Sequence, residues 1–201
     1  EPDMESPVEA RCFLQKVRSI LEHLNVFDGN LEGAMRCDAN VSVGGQNRIE
    51  IKNISSFKDV ERALNYEIMR QRELIKKNTV FGMETRHWDD LKRVTVSLRK
   101  KEKEQDYRYF IEPDLCPIKI EKKQIDRLQA EMPELPDARK ERLLKQYILP
   151  EYDAEVLVSE RATADFFEQC AKKYSNPKNI SNWLMGDVLQ CLYSLDVDIT
   201  H

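Results

Sequence analysis

Two neighbouring segments of the chain, residues 34–43 and 48–54, alternate polar and apolar side chains as half-buried β-strands do. Because successive side chains of a strand point to opposite faces, one face of this pair collects two carboxylates and three cations. We call this face the polar wall, and its charged members are Arg36, Asp38, Arg48, Glu50 and Lys52. Carboxylates on neighbouring strands are hard ligands suited to a divalent metal ion, and the cations are suited to phosphate. The alternative interpretation is a solvated sheet face held by cross-strand ion pairs.

The charged side chains of an antiparallel hairpin share one face only if paired positions sum to an even number, for example with Asp38 opposite Lys52 and Asn40 opposite Glu50. A slip of one residue would turn the charges toward the core. This register requires a loop of odd length or a β-bulge. The two adjacent glycines between the strands can supply the positive φ that such a turn needs.

Two further strands are predicted over residues 80–88 and 93–99. In the first of these, Glu84, Arg86 and Trp88 share one face, and Arg86 is predicted to join the polar wall. In the second, the side chains predicted to point inward are Val94, Val96 and Leu98.

Helices with an apolar stripe precede and follow the hairpin. The first begins at Pro7 and is predicted to cover one face of the sheet, and a longer one begins after Ser56. Beyond Lys119, apolar residues recur only at helical spacing, in segments divided by prolines. The sequence therefore predicts an α+β chain with two domain portions, residues 1–120 and 121–201.

The composition argues against several classes of protein. No apolar run approaches the roughly 18 residues of a membrane span, and no signal peptide opens the chain. The five cysteines are scattered and never spaced as C-x-x-C, which argues against a zinc site or a disulfide framework and favours reducing conditions. Residues 36–108 contain 17 Lys and Arg against 12 Asp and Glu, although the whole chain carries a net charge of −4. This basic middle segment favours an anionic partner.

Six short strings extend over essentially the whole chain. They are Glu1-Pro2-Asp3, Arg36-Cys37-Asp38-Ala39-Asn40-Val41-Ser42, Glu50-Ile51-Lys52-Asn53, Glu84-Thr85-Arg86, Asp106-Tyr107-Arg108-Tyr109-Phe110 and Asn182-Trp183-Leu184. Their order resembles that of the B subunit of the aspartyl/glutamyl-tRNA(Asn/Gln) amidotransferase, and the short hairpin loop looks more like archaeal members of that family. Because the chain does not begin with methionine and its last predicted helix has no clear end, we interpret it as an excerpt from a longer protein.

The resemblance implies a role in the indirect aminoacylation of tRNA. In that family, the role of the B subunit is to bind tRNA misacylated with glutamate or aspartate and to phosphorylate the side-chain carboxylate with ATP and Mg²⁺. Ammonia, which the amidase of the complex (the A subunit) releases from glutamine, then displaces the phosphate, and a small C subunit holds the two together. The implied location is the cytoplasm of a prokaryote, or an organellar matrix in a eukaryote.

The resemblance also implies an architecture. The catalytic domain of the family is a cradle built on an antiparallel sheet, and a helical domain and a tRNA-binding tail follow it. Residues 1–120 would form the second half of the cradle, and residues 121–201 the beginning of the helical domain. Because other members of the kinase site lie in the preceding half of the cradle, the excerpt alone is expected to be inactive.

Individual residues take candidate roles from the same resemblance. Asp38 and Glu50 match metal-binding, catalytic acids of the family. Arg36, Lys52 and Arg86 are candidates for contacts with ATP phosphates or with the glutamyl carboxylate. The alternative is that each of these cations is a structural counter-ion to a neighbouring acid.

An aromatic segment with one cation is the candidate contact for tRNA. Tyr107, Arg108 and Tyr109 could meet the acceptor end, where the guanidinium binds phosphate and a ring stacks on a base. They could equally attach the cradle to the helical domain. Two functions other than the ligase also stay open: a non-catalytic tRNA-binding scaffold, favoured by the basic middle segment, and a module that docks other subunits.

Overall fold

The computed structural model describes residues 3–29, 31, 33–100, 111–195, 197 and 199. The chain divides into two compact units. The first unit comprises Glu1–Gln15 and Gly33–Lys119, and the second comprises Lys16–Glu32 and Ile120–His201. The assignment of residues 1–120 and 121–201 to a cradle and a helical domain stays a prediction.

The chain combines one sheet with helices, which confirms the predicted α+β class. The elements up to the end of the sheet are α1 (Pro7–His23), β1 (Cys37–Val41), β2 (Ile49–Ile54), α2 (Phe57–Lys76), β3 (Glu84–Asp89) and β4 (Val94–Lys100). Helix α1 begins where the sequence predicts, because the Ser6 hydroxyl accepts a hydrogen bond from the backbone N–H of Glu9. Ser56 caps α2 in the same way through Asp59.

The sheet has the strand order β1-β2-β3-β4 and is mixed rather than antiparallel throughout. Strands β1 and β2 pair antiparallel, as do β3 and β4, whereas β2 and β3 pair parallel. The parallel pair follows from the connection, because α2 carries the chain back across the sheet between β2 and β3. The prediction of an antiparallel sheet is therefore wrong for the central pair, β2 and β3.

The hairpin takes the predicted register over most of its length. Asn40 pairs with Glu50, and Ala39 pairs with Ile51. The register then shifts at a bulge, where Asn53 has a φ of 58° and gives β2 one extra residue. At the other end, the two glycines of the loop have φ values of 62° and 70°, as the turn requires.

Helix α2 packs on one face of the sheet and forms the core of the first unit. The buried residues of this core are Ala10, Ala39, Ile51, Val60, Ala63, Leu64 and Trp88. On β4 the buried side chain is Thr95, whereas Val96 and Leu98 are exposed. The predicted orientation of β4 is therefore wrong, because Thr95 turns toward α2 to donate a hydrogen bond to Glu67.

The second unit is helical. Its elements after the sheet are α3 (Lys122–Glu131), α4 (Pro136–Tyr147), α5 (Glu151–Val158), α6 (Arg161–Lys173), α7 (Pro177–Trp183), a π-helical turn (Leu184–Val188) and α8 (Leu189–Leu195). The core includes Leu143, Leu157, Phe167 and Leu184. Trp183, which the helical spacing predicts to be buried, is 64% exposed. None of the described helices combines the length and apolarity that crossing a membrane demands.

His23 lies at the end of α1, inside the second unit, and is only 1% exposed. Its Nδ1 lies 2.8 Å from the carbonyl oxygen of Ser19. Because a carbonyl oxygen can only accept, Nδ1 carries the proton of the neutral ring. Burial lowers the pKa of His23, and the charges of Arg139 and Arg161 lower it further, against the raising effects of the Ser19 hydrogen bond and of Asp165.

This lowered pKa predicts that the second unit loses stability on mild acidification. Above the ordinary pKa of about 6.5 both the folded and the unfolded chain hold His23 neutral. As the pH falls below that value, the unfolded chain takes up a proton that the folded chain resists, so the free energy of unfolding decreases. Urea denaturation of the full-length protein at about pH 7 and about pH 5.5 measures this loss.

His23→Gln is the matched variant for this prediction, because glutamine keeps a hydrogen-bond donor and cannot titrate. We expect the variant to be less stable at neutral pH but to lose less stability over the same interval. Equal pH dependence in the two proteins would assign the acid sensitivity to other groups.

Candidate functional site

The polar wall brings Asp38, Glu50 and Lys52 together. The Lys52 ammonium group lies 2.8 Å from Asp38 Oδ2 and 3.4 Å from Glu50 Oε1. Asp38 comes from β1, whereas Glu50 and Lys52 lie two residues apart on the same face of β2. The two carboxylates therefore converge on one cationic atom, on the face that the alternation in the sequence predicts for them.

The wall is the sheet face opposite α2. Ile49 and Ile51 are fully buried on the α2 side, and so the intervening Glu50 must point the other way. Thr85 on β3 joins this face, because its hydroxyl donates to Glu50 Oε2 at 2.9 Å. The hydrogen bond from Lys52 to Asp38 raises the pKa of Lys52, and its slight burial acts in the opposite direction. The ammonium group is thus fully charged at neutral pH.

Arg36 lies just before β1, in phase with Asp38, and is exposed. It forms no hydrogen bond or ion pair with any residue that the structure describes. Its guanidinium is therefore available to an anion on the polar wall. This position agrees with the predicted placement, although its role toward a phosphate or a carboxylate stays a prediction.

Arg86 is not part of the polar wall, which corrects its predicted position. Its guanidinium turns to the α2 side of the sheet, where Nη1 donates to both carboxylate oxygens of Glu84 at 3.0 Å. Arg86 Nε donates to the Thr95 hydroxyl at 2.8 Å and lies 3.5 Å from Glu67 Oε2. Arg86 is thus a counter-ion within the fold, which is the alternative that the sequence left open.

A buried carboxylate on α2, which the sequence reasoning missed, organises these contacts. The Glu67 side chain is fully buried and accepts hydrogen bonds from Arg70, Gln71 and Thr95. Burial opposes the charge of Arg70, but the hydrogen bonds and charge of Glu67 outweigh it and raise the pKa of Arg70. The side chains of Glu67, Arg70, Gln71, Glu84, Arg86 and Thr95 are called the buried network below.

The buried network also holds one end of the hairpin. The amide of Gln71 accepts a hydrogen bond from the backbone N–H of Val43 at 3.0 Å and lies near the carbonyl oxygen of Val41 at 3.4 Å. A signal for this arrangement exists in the sequence: Val60, Leu64, Glu67 and Gln71 share helical spacing. Polar side chains on such a stripe must find partners when the stripe is buried.

The candidate tRNA contacts and a histidine beside the polar wall complete the description of the site. Tyr107, Arg108 and Tyr109 lie outside the described residues, so their predicted contact with tRNA stays a prediction. His87 pairs with Lys52 across the parallel β2–β3 ladder. Its Nδ1 is buried and has no hydrogen-bond partner within the described part of the chain.

The chemistry of Asp38 and Glu50 fits a divalent metal ion, and in this structure both carboxylates contact the Lys52 ammonium group. Mg²⁺ takes oxygen ligands and is commonly held by one or two carboxylates together with water and phosphate oxygens. No group of three or more His, Cys, Asp or Glu among the described residues is arranged to hold a metal ion. The described residues therefore offer a pair of ligands rather than a closed cage.

The sequence matches the family described as GatB/GatE catalytic domain over residues 1–126. It is also similar to proteins named as the B subunit of aspartyl/glutamyl-tRNA(Asn/Gln) amidotransferase. The one from Sulfolobus acidocaldarius is 54% identical over 96% of this chain and 41% of its own length. The one from Saccharolobus solfataricus is 52% identical over 100% of this chain and 42% of its own length, and the one from Thermotoga maritima is 48% identical over 100% and 43%.

These matches confirm the resemblance that the six strings carry. The matches to these relatives extend over both units. The chain spans 41–43% of the length of these relatives. The family match includes the polar wall and the buried network. The chain therefore belongs to the family of the GatB/GatE catalytic domain.

Proposed function

We propose that this chain is part of the B subunit of a tRNA-dependent amidotransferase that converts Glu-tRNA(Gln), Asp-tRNA(Asn) or both to the amidated forms. The names of the relatives support this general role. The partners that follow are the misacylated tRNA, an amidase (the A subunit) and a small C subunit. The archaeal and bacterial origin of the relatives favours the cytoplasm of a prokaryote.

The finer proposal is that the polar wall activates the side-chain carboxylate of the misacylated tRNA with ATP and Mg²⁺. The observation that carries it is the convergence of Asp38 and Glu50 on one cation position. Phosphoryl transfer to a carboxylate brings several anions together, so catalysis depends on positioning and on neutralising charge. A solvated face held by cross-strand ion pairs would show the same contacts, so the activity of variants at Asp38 and Glu50 separates the two interpretations.

Each residue of the wall has a distinct task in this proposal. Asp38 and Glu50 hold Mg²⁺, which supplies charge neutralisation and orientation of phosphate oxygens when bound. Arg36, which has no partner among the described residues, binds a phosphate or the substrate carboxylate. Thr85 fixes the Glu50 carboxylate through its hydrogen bond. Lys52 balances the two acids while no metal is bound.

Formation of ADP by the full-length protein, assembled with its amidase partner, tests the proposal. We expect ADP to form with Glu-tRNA(Gln) or Asp-tRNA(Asn) and Mg²⁺, and not with uncharged tRNA, because the carboxylate is the phosphoryl acceptor. Binding of the misacylated tRNA without any consumption of ATP would instead favour the non-catalytic scaffold. The salt dependence of that binding would then measure how many phosphates the protein contacts.

A further inference from the structure

We propose that Lys52 is a built-in counter-cation of the metal site, which Mg²⁺ must displace from between Asp38 and Glu50 in order to bind. The inference rests on the proposed function, since it concerns the same pair of acids. It adds a competition inside the protein that sets the affinity for the metal.

The distances place the two cations in competition for the same carboxylate oxygens. The Lys52 nitrogen lies 2.8 Å from an oxygen of Asp38 and 3.4 Å from an oxygen of Glu50. A Mg²⁺ ion held by both carboxylates would need the oxygens that the ammonium group now contacts, and it binds such oxygens at about 2.1 Å. Two positive charges in contact repel each other, so the ammonium group has to leave when the metal enters.

The chain gives Lys52 the freedom to leave. About a third of the side chain is exposed, at 35%, and its stem of four carbons is flexible. The bulge at Asn53 follows directly, which interrupts the regular pairing of β2 with β1 beside Asp38. Bulges re-aim neighbouring side chains and are frequent next to active sites. The displaced ammonium group stays on the polar wall, where it can form an ion pair with a phosphate or with the substrate carboxylate instead of with Asp38 and Glu50.

Competition of this kind has a measurable consequence. The free energy needed to break the Lys52 ion pairs is subtracted from the binding energy of the metal. Removing the ammonium group should therefore tighten metal binding, although it also takes one counter-charge away from Asp38 and Glu50 in the metal-free protein. A residue with a merely structural role would lower stability without raising the affinity for Mg²⁺.

The test is a calorimetric titration of the full-length protein with Mg²⁺ in the absence of nucleotide. We expect Lys52→Met to bind Mg²⁺ about three- to tenfold more tightly than the wild type, as the breaking of a partly exposed, charged hydrogen bond predicts. Arg36→Met is the matched control, because it removes an equal charge from the same wall without breaking an ion pair to either acid. Lys52→Arg keeps a competing cation, so its affinity for Mg²⁺ should be no higher than that of the wild type.

Thermal unfolding gives a second measurement. Without metal, the midpoint of thermal unfolding of Lys52→Met should lie below that of the wild type. When Mg²⁺ is added, the midpoint of the variant should rise by more than the midpoint of the wild type, because the variant binds the metal more tightly in its folded state. Adding Asp38→Asn to Lys52→Met should abolish both the tighter binding of Mg²⁺ and the larger rise of the midpoint. This result would assign both effects to this site.

Two results would overturn the inference, and they differ in what they leave standing. If Asp38→Asn weakens Mg²⁺ binding but Lys52→Met binds no more tightly than Arg36→Met, the metal site stands and the competition falls. If Asp38→Asn changes Mg²⁺ binding in neither background, the metal site of the proposed function falls together with the inference.

Discussion

Asp38→Asn and Glu50→Gln should each reduce the formation of amidated tRNA by at least about 100-fold, because mutations outside the immediate ligands of catalytic metals already cost about 10- to 100-fold. Each change removes one of the two negative charges that converge on the cation position. The amide that remains is a weaker ligand and leaves the charge of the phosphates less well balanced. The measurement is tRNA-dependent ADP formation and amidation by the full-length protein with its amidase partner.

A control acid from the same unit separates this effect from a change in stability. Glu73 lies exposed on α2, and Glu73→Gln makes the same chemical change away from the polar wall. We expect this control to retain the activity of the wild type, and all three variants to keep a folded circular dichroism spectrum. Near-normal turnover in Asp38→Asn or Glu50→Gln would remove that residue from the catalytic site and leave its contact with Lys52 as an ordinary ion pair.

The position of these acids could be predicted from the sequence because alternation and turn chemistry agree. Ile49 and Ile51 are both fully buried, and a strand cannot bury them without turning Glu50 and Lys52 to the opposite face. The pairing of Asn40 with Glu50 then follows from a hairpin with a loop that tolerates positive φ. The Lys52 contact with both acids could not be predicted in detail, because the bulge at the end of β2 has no unique sequence signal.

Arg86 shows why the same reasoning failed on β3. Alternation groups Glu84, Arg86 and Trp88 on one face, but it does not say which face of the sheet that is. The answer depends on partners in another element, since Arg86 faces Glu67 of α2 and Glu84 lies 3.9 Å from Arg70 of the same helix. Polar character alone indicates exposure, and here it indicated the wrong face.

Glu67→Gln should lower the free energy of unfolding of the first unit by about 3 kcal/mol, the usual cost of removing one partner of a buried ion pair. Glu67 is fully buried, and its loss as a charge leaves the guanidinium groups of Arg70 and Arg86 partly buried without their shared acceptor. Glutamine also brings an amide donor next to these donors. Urea denaturation of the full-length protein measures the loss, and the exposed Glu73→Gln should cost less than about 0.5 kcal/mol.

A double-mutant cycle then decides whether the buried network acts as a unit. Arg86→Met alone should be destabilising, because Glu84 and Glu67 lose a counter-charge. In the double variant Glu67→Gln/Arg86→Met, the total loss should be smaller than the sum of the single losses by about 1 kcal/mol or more, because neither charge is then left without the other. The coupling is incomplete, since Arg86 also binds Glu84 at 3.0 Å. Strictly additive losses would mean that Glu67 and Arg86 are not energetically coupled, and that Glu84 and Thr95 alone hold Arg86 on the α2 side.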